Sequence, residues 1–106
     1  MLGKTAYICS PYRAVTEKQF KSQIEYTKQI SRNAVMQGCD VIVPHLYYPQ
    51  FLDDNIEAER EWGMNSALNL ILVCDFIIVG EEHGISSGME AEIEFAKKHG
   101  ISIQRV

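Results

Sequence analysis

The chain has 106 residues, of which 46% are hydrophobic and 23% charged, the composition of an ordinary globular protein built around one core. We therefore expect a single domain over residues 1–106. The formal net charge is −4, and the sequence contains no basic stripe, which argues against binding to a nucleic-acid polymer.

The first residues lead directly into a strand-like run, without the charged and then apolar profile of a signal peptide. No apolar stretch approaches the ~18 residues that a membrane span needs, so we expect a cytoplasmic protein with no membrane partner. The three cysteines are far apart in apolar surroundings, which is typical of buried free thiols. Only Cys9 is expected near a strand end, and a buried thiol is favoured over a reactive one there. Neither the cysteines nor the histidines have metal-site spacing.

Short apolar runs alternate along the chain with longer segments of helical periodicity. The predicted strands are 6–9, 41–43, 76–79 and 101–103. The predicted helices are 16–37, 54–73 and 87–98. This alternation is typical of a mostly parallel sheet covered on both faces. We expect an α/β fold, three-layered and doubly wound in the Rossmann or flavodoxin-like manner, with four to five strands.

Local signals mark where these helices begin and end. Thr16 and Gln19 form a capping-box pattern, and Gly38 is a natural stop for the first helix. The second helix has a broad apolar face, which suggests burial against more than one neighbour. The acidic stretch 53–61 is expected to cap that helix and face water. Right-handed crossovers would place the first and third strands side by side, with their carboxyl ends on one ledge.

The segment from Gly84 to Glu92 follows the third strand and opens the third helix. In open α/β sheets, ligands bind at the carboxyl ends of strands, beside helix N-termini. The segment therefore predicts a ligand site on the ledge. Capping by Ser86 or Ser87 explains the same residues without any ligand, and both interpretations stay open at this point.

Two further segments are expected on the ledge. The loop after the first strand contains Ser10, Tyr12 and Arg13, and an arginine can bind a carboxylate or phosphate through two hydrogen bonds. The segment 44–49 is unusually aromatic for a loop. Within it, His45 is a candidate acid or hydrogen-bond donor, and a packing role is the alternative.

Several short motifs occur in a specific order. They are Lys4-Thr5-Ala6-Tyr7, Asp75, and Ser87-Gly88-Met89 followed by Glu92 and Ala96. Together they resemble the nucleoside 2-deoxyribosyltransferase superfamily, and most closely a small branch found in bacteria and phages. That branch shows an SPYR-like first loop, a PHLYYPQFLDD-like second segment and a GMxxEIxxA helix start. The resemblance spans about residues 4–103.

The resemblance implies an enzyme that acts on the N-glycosidic bond of a deoxynucleoside or deoxynucleotide, by transfer or by hydrolysis. Glu92 would be the nucleophile that forms a covalent glycosyl intermediate, and Tyr7 would orient it. The remaining residues implied around the substrate are Ser10, Tyr12, Arg13, His45, Tyr47, Ser87, Gly88 and Met89. Neither a metal nor an organic cofactor is implied, because this chemistry needs carboxylates and positioning. Related transferases are oligomers, so a homo-oligomer, dimer or higher, is expected.

The chain also departs from the family pattern. Ala67 stands where a substrate-orienting aspartate is usual, Ser86 replaces a second acidic residue, and Glu94 replaces a glycine. Losing one catalytic carboxylate costs a factor of ~10² to 10⁴ if it supplies general-acid help. A non-catalytic module that binds a nucleotide or nucleotide-derived signal is therefore the alternative. A scaffold protein without a small-molecule function is the third possibility.

Overall fold

The computed structural model describes residues 3–12, 14 and 16–106. In chain order its elements are β1 Thr5–Cys9, α1 Glu17–Met36, β2 Asp40–Ile42, α2 Glu57–Ile71, β3 Phe76–Val79, α3 Ser87–Lys98 and β4 Ser102–Arg105. Two short 3-10 turns, Pro44–Leu46 and Tyr48–Gln50, lie between β2 and α2. The predicted alternation of strands and helices is confirmed.

The four strands form one parallel sheet in the order β2-β1-β3-β4. As predicted, β1 and β3 are neighbours, with Cys9 in register with Val79 at their carboxyl ends. Both strands are almost entirely buried, because helices cover the two faces of the sheet. The doubly wound α/β architecture is therefore confirmed.

The alternation of side chains along β1 divides the core into two layers. Ala6 and Ile8 point to the layer that contains Ile30 and Ala34 of α1. Tyr7 and Cys9 point to the opposite layer, where α2 and α3 pack. This division brings the phenol of Tyr7 to the same side of the sheet as the helix that carries Glu92.

The ends of α1 follow the local sequence signals. The Thr16 side chain accepts a hydrogen bond from the Gln19 backbone N–H at 3.1 Å and caps the N-terminus. At the other end Gly38 has a φ of +94°, which lets the chain leave the helix in the left-handed region. The amide of Cys39 then bonds to the Ala34 carbonyl at 3.0 Å.

The second helix begins three residues later than predicted, at Glu57. Residues 53–56 instead form a turn, in which the Asn55 amide bonds to the Asp53 carboxylate at 2.9 Å and the Ile56 amide bonds to the Asp53 carbonyl at 3.0 Å. Local bonds of this kind compete with helix formation. Within α2 only Ile71 is fully buried, and Trp62 is 59% exposed, so the apolar face is not covered as expected.

Within the ranges that the structure describes, no helix combines the length and the apolar character needed to cross a membrane.

Candidate active site

The N-terminus of α3 is fixed by a serine cap. Ser86, rather than Ser87, is the N-cap residue, and its hydroxyl accepts from the Met89 amide at 3.3 Å. The Met89 sulfur in turn accepts from the Ser86 amide at 3.4 Å. The capping interpretation is therefore correct for Ser86, while Ser87 and Gly88 lie in the exposed first turn.

Glu92 lies on the buried side of α3, with only 7% of its surface exposed. The Tyr7 hydroxyl donates a hydrogen bond to Oε2 of Glu92. The Cys9 thiol lies 3.5 Å from the other oxygen, Oε1. A buried carboxylate thus has one donor from β1 on each of its oxygens.

Burial changes the acidity of this cluster. It raises the pKa of Glu92 from the ordinary 4.5 to about 7, although the hydrogen bonds from Tyr7 and Cys9 oppose the increase. The pKa values of Tyr7 and Cys9 are also raised, first by burial and then by the negative charge of Glu92. Near neutral pH the phenol and the thiol therefore keep their protons, and Glu92 is the group that titrates.

Tyr12 and His45 form an aromatic wall. Their rings stack with centroids 5.2 Å apart and planes 20° apart, and Phe20 packs edge-on against Tyr12. Burial lowers the pKa of His45, while a backbone hydrogen bond to Ser10 and the charge of Asp54 oppose the decrease. The neutral form of His45 therefore predominates at pH 7, and its ring nitrogens can act as donor and acceptor.

Ser10 is fully buried at the end of β1. Its hydroxyl lies 2.7 Å from the Thr27 hydroxyl, which itself donates to the Gln23 carbonyl at 2.9 Å. Because the single proton of Thr27 is used in that bond, Ser10 is the donor to Thr27. Its hydroxyl can accept from a ligand but has no second proton to donate.

A cleft of about 930 Å³ connects these groups. Of the residues predicted around the substrate it is lined by Ser10, Tyr12, His45, Ser87, Gly88, Met89 and Glu92. Tyr47 is not among its lining residues, whereas the adjacent Tyr48 is. Arg13 lies outside the described residues. Six of the eight predicted substrate-contact residues and the predicted nucleophile thus lie around one cavity of a size that suits a small organic ligand.

Sequence reasoning missed the part that the acidic residues before α2 and in its first turn take in the cleft. Asp53, Asp54 and Glu59 line the cleft instead of only facing water. Asp54 is near enough to act on both rings of the aromatic wall. Burial raises the pKa of Tyr12 and the charge of Asp54 adds to that increase, whereas burial lowers the pKa of His45 and the charge of Asp54 opposes that decrease. The signal was present in the PHLYYPQFLDD-like segment, whose two aspartates come just after its aromatic residues, with Leu52 between Phe51 and Asp53.

The departures from the family pattern have a visible consequence in the cleft. Ala67 is one of its lining residues, so the wall is apolar at the position where the sequence resemblance implies an aspartate. Ser86 also lines the cleft, but its hydroxyl is used in the helix cap. Among the described residues, no group of three histidine, cysteine or acidic side chains is arranged to bind a metal.

The fold is similar to that of a solved structure described as a 2-deoxyribosyltransferase from the psychrotolerant bacterium Bacillus psychrosaccharolyticus. The TM-score is 0.68 at 17% sequence identity, over 95% of this chain and 70% of that chain. The resemblance to deoxyribosyltransferases is thereby confirmed at the level of the fold. No curated protein matches the chain significantly. A family model matches residues 4–106, and the chain therefore belongs to the family described as Domain of unknown function (DUF7768).

Proposed function

We propose that this protein cleaves the N-glycosidic bond of a 2′-deoxynucleoside and passes the deoxyribosyl group to another base or to water. The observation that carries the proposal is the buried Glu92, held by Tyr7 and facing a cleft lined by aromatic side chains. The similarity of the fold to a deoxyribosyltransferase supports the same chemistry.

In the first step a carboxylate oxygen of Glu92 attacks the anomeric carbon, and the bond from that carbon to the base nitrogen breaks. The electron pair of that bond goes to the base, which takes up a proton. In the second step a nitrogen of an acceptor base, or water, attacks the same carbon and frees the carboxylate, and it returns a proton to the group that protonated the leaving base. A carboxylate suits this reaction because the transition state resembles an oxocarbenium ion.

We propose His45 as the group that protonates the leaving base. It stacks on Tyr12 at the wall of the cleft. Burial lowers its pKa and the charge of Asp54 opposes that decrease, so the minor imidazolium form of His45 would be the acid. His45 and Asp54 together would supply the acid that the alanine at position 67 cannot supply. Ser87 and Gly88, in the first turn of α3, would contact the sugar through their amides and the Ser87 hydroxyl.

The charge of the cleft favours an uncharged nucleoside over its 5′-monophosphate. Its described lining residues include the carboxylates of Asp53, Asp54, Glu59 and Glu92 against the single guanidinium of Arg60. A phosphate would meet this negative field. Arg13, which the resemblance implies as a phosphate-binding residue, would have to offset it if a monophosphate is the substrate.

The test is release of free base from a panel of deoxynucleosides and their 5′-monophosphates, with and without an acceptor base. We expect release by the wild type and none by Glu92→Ala. His45→Gln should lose ~10² or more on ordinary substrates, but much less on an N7-methylated purine deoxynucleoside, whose base leaves without protonation. Equal losses on both kinds of substrate would remove His45 from the acid role. Arg13→Ala should leave nucleoside turnover intact and weaken only the monophosphate.

The apolar Ala67 position favours a second candidate function, that of a nucleoside-binding or nucleotide-binding module without turnover. In that case a deoxynucleoside would bind saturably, and no base would appear over long incubation. Glu92→Gln would then still bind. Base release that depends on Glu92 excludes this alternative.

We further propose that the protein is a homo-oligomer, dimer or higher, that associates through the outer face of α2 and the residues that follow it. Trp62 is 59% exposed there, and Leu72 and Val73 are 46% and 69% exposed. Exposed apolar patches of this kind mark association sites. Trp62→Glu should shift the sedimenting species toward the monomer, whereas Glu61→Gln, the neighbouring exposed residue, should not. An unchanged mass for Trp62→Glu would refute this interface.

A further inference from the structure

The thiol of Cys9 contacts Oε1 of the Glu92 carboxylate, and the phenol of Tyr7 contacts the other oxygen, Oε2. We propose that Cys9 is a positioning residue, whose thiol donates to Oε1 of Glu92 and fixes the plane of the carboxylate while Tyr7 holds Oε2. The inference rests on the proposed function only in that Glu92 is the nucleophile whose orientation matters. The contact itself is independent of any substrate.

The direction of this hydrogen bond follows from the surroundings of Cys9. The residue is fully buried, and burial together with the charge of Glu92 raises the pKa of the thiol. The sulfur therefore keeps its proton and is the donor. Its other acceptor, the Met89 carbonyl, lies farther away at 4.0 Å, against 3.5 Å for Oε1. Cys9 is thus a donor to the carboxylate and not a competing nucleophile.

A second donor changes what the carboxylate can do. The terminal torsion of a glutamate is broad, so a single bond from Tyr7 leaves the carboxylate plane free to rock. A bond to each oxygen restricts that motion. Because a thiol is a weaker donor than a phenol, Oε1 keeps more of its electron density than Oε2. The geometry therefore points to Oε1 as the oxygen that attacks the sugar.

Both donors also favour the ionised form of Glu92. The titratable groups that act on this cluster come from three elements and one loop. They are Tyr7 and Cys9 on β1, Glu92 on α3, Arg105 on β4, which acts to lower the pKa of Cys9, and Tyr47, which acts to raise the pKa of Tyr7. Of these, Cys9 can be replaced without removing a formal charge at neutral pH.

The inference is tested by the pKa of Glu92, measured by NMR on protein labelled with ¹³C at the glutamate carboxyl carbon. The resonance is assigned as the one missing from Glu92→Gln. In Cys9→Ala the pKa should rise by about half a unit to one unit, the size of a weak charge-assisted hydrogen bond. Cys74→Ala is the matched control, because Cys74 is buried in the same core layer but donates to the Leu70 carbonyl at 3.3 Å. It should leave the pKa unchanged.

An isosteric pair separates donation from packing. Cys9→Val and Cys9→Thr have the same shape, but only threonine can donate to Oε1. The pKa of Glu92 should be higher in Cys9→Val than in Cys9→Thr, and the pH profile of base release should move with it. Equal pKa values in the two variants, or no change in Cys9→Ala, would overturn the inference. This readout needs no turnover, so a protein without activity would refute the proposed function and leave the test of Cys9 intact.

Discussion

Replacing Glu92 by glutamine should stabilise the folded protein at alkaline pH and abolish the proposed release of base. The side chain is 7% exposed, and burial raises its pKa from 4.5 to about 7. The unfolded chain ionises this carboxyl near 4.5, so above that pH the unfolded state binds fewer protons than the folded state. This group therefore does not lower the free energy of unfolding below pH 4.5. It lowers the free energy of unfolding progressively as the pH rises from 4.5 through 7.

The magnitude follows from the difference of about 2.5 pH units between the two pKa values. At 1.36 kcal/mol per unit, ionised Glu92 lowers the free energy of unfolding by about 3 kcal/mol at pH 8. Glutamine cannot ionise, so the variant avoids this penalty. We expect Glu92→Gln to exceed the wild type by about 2 to 3 kcal/mol at pH 8, or roughly 10 °C in the midpoint of thermal unfolding. Near pH 4.5 the difference should be close to zero.

The assay is urea denaturation of both proteins from pH 4.5 to 8.5. The lowered pKa of His45 gives an opposite dependence, with stability lost as the pH falls below 6.5, but it is common to both proteins and cancels in the difference. Glu90→Gln, two residues earlier in α3 and exposed, is the matched control and should track the wild type. A difference between Glu92→Gln and wild type that does not change with pH would refute the reasoning.

Three other variants test separate parts of the structure. Tyr7→Phe removes the phenol donor from the buried carboxylate, so the pH at which base release reaches half its maximum should move to higher values, and an unmoved profile would contradict the hydrogen bond. Gly80→Ala would place a methyl group 2.4 Å from a side-chain carbon of Ile30, so urea denaturation should show a loss of about 1 to 3 kcal/mol. Ser86→Ala should cost about 1 kcal/mol through loss of the cap of α3, whereas Ser87→Ala should cost much less, and equal costs would reject Ser86 as the cap.

Periodicity and capping signals were sufficient to predict the helices and most of the sheet. The bounds of α3 agree with the prediction because Ser86 caps its start and Gly100, with a φ of +70°, follows its end. The start of α2 was predicted too early. Asp53 forms a turn through its hydrogen bond with the Asn55 amide. An aspartate in an acidic stretch can form such a turn or cap a helix, and the composition alone does not say which.

The candidate site was also predictable only in part from the sequence. Glu92 and Tyr7 could be paired because motifs at both ends of the chain resemble one family. The side chains of the segment 44–50 could not be oriented, since its two 3-10 turns follow neither the strand nor the helix period. As a result Tyr48, and not Tyr47, faces the cleft. The contact between Cys9 and Glu92 depends on strand register and helix docking, which no local pattern encodes.

The bonds that hold Glu92 join residues 83 and 85 positions apart in the chain. Neither half of the polypeptide therefore contains the whole of this cluster, and a break in the exposed turn around Asn55 would leave Glu92 on one fragment and its two hydrogen-bond donors on the other. Recovery of activity on mixing two such fragments would report their correct reassembly. The proposed base release would then measure directly whether distant parts of the chain have folded together.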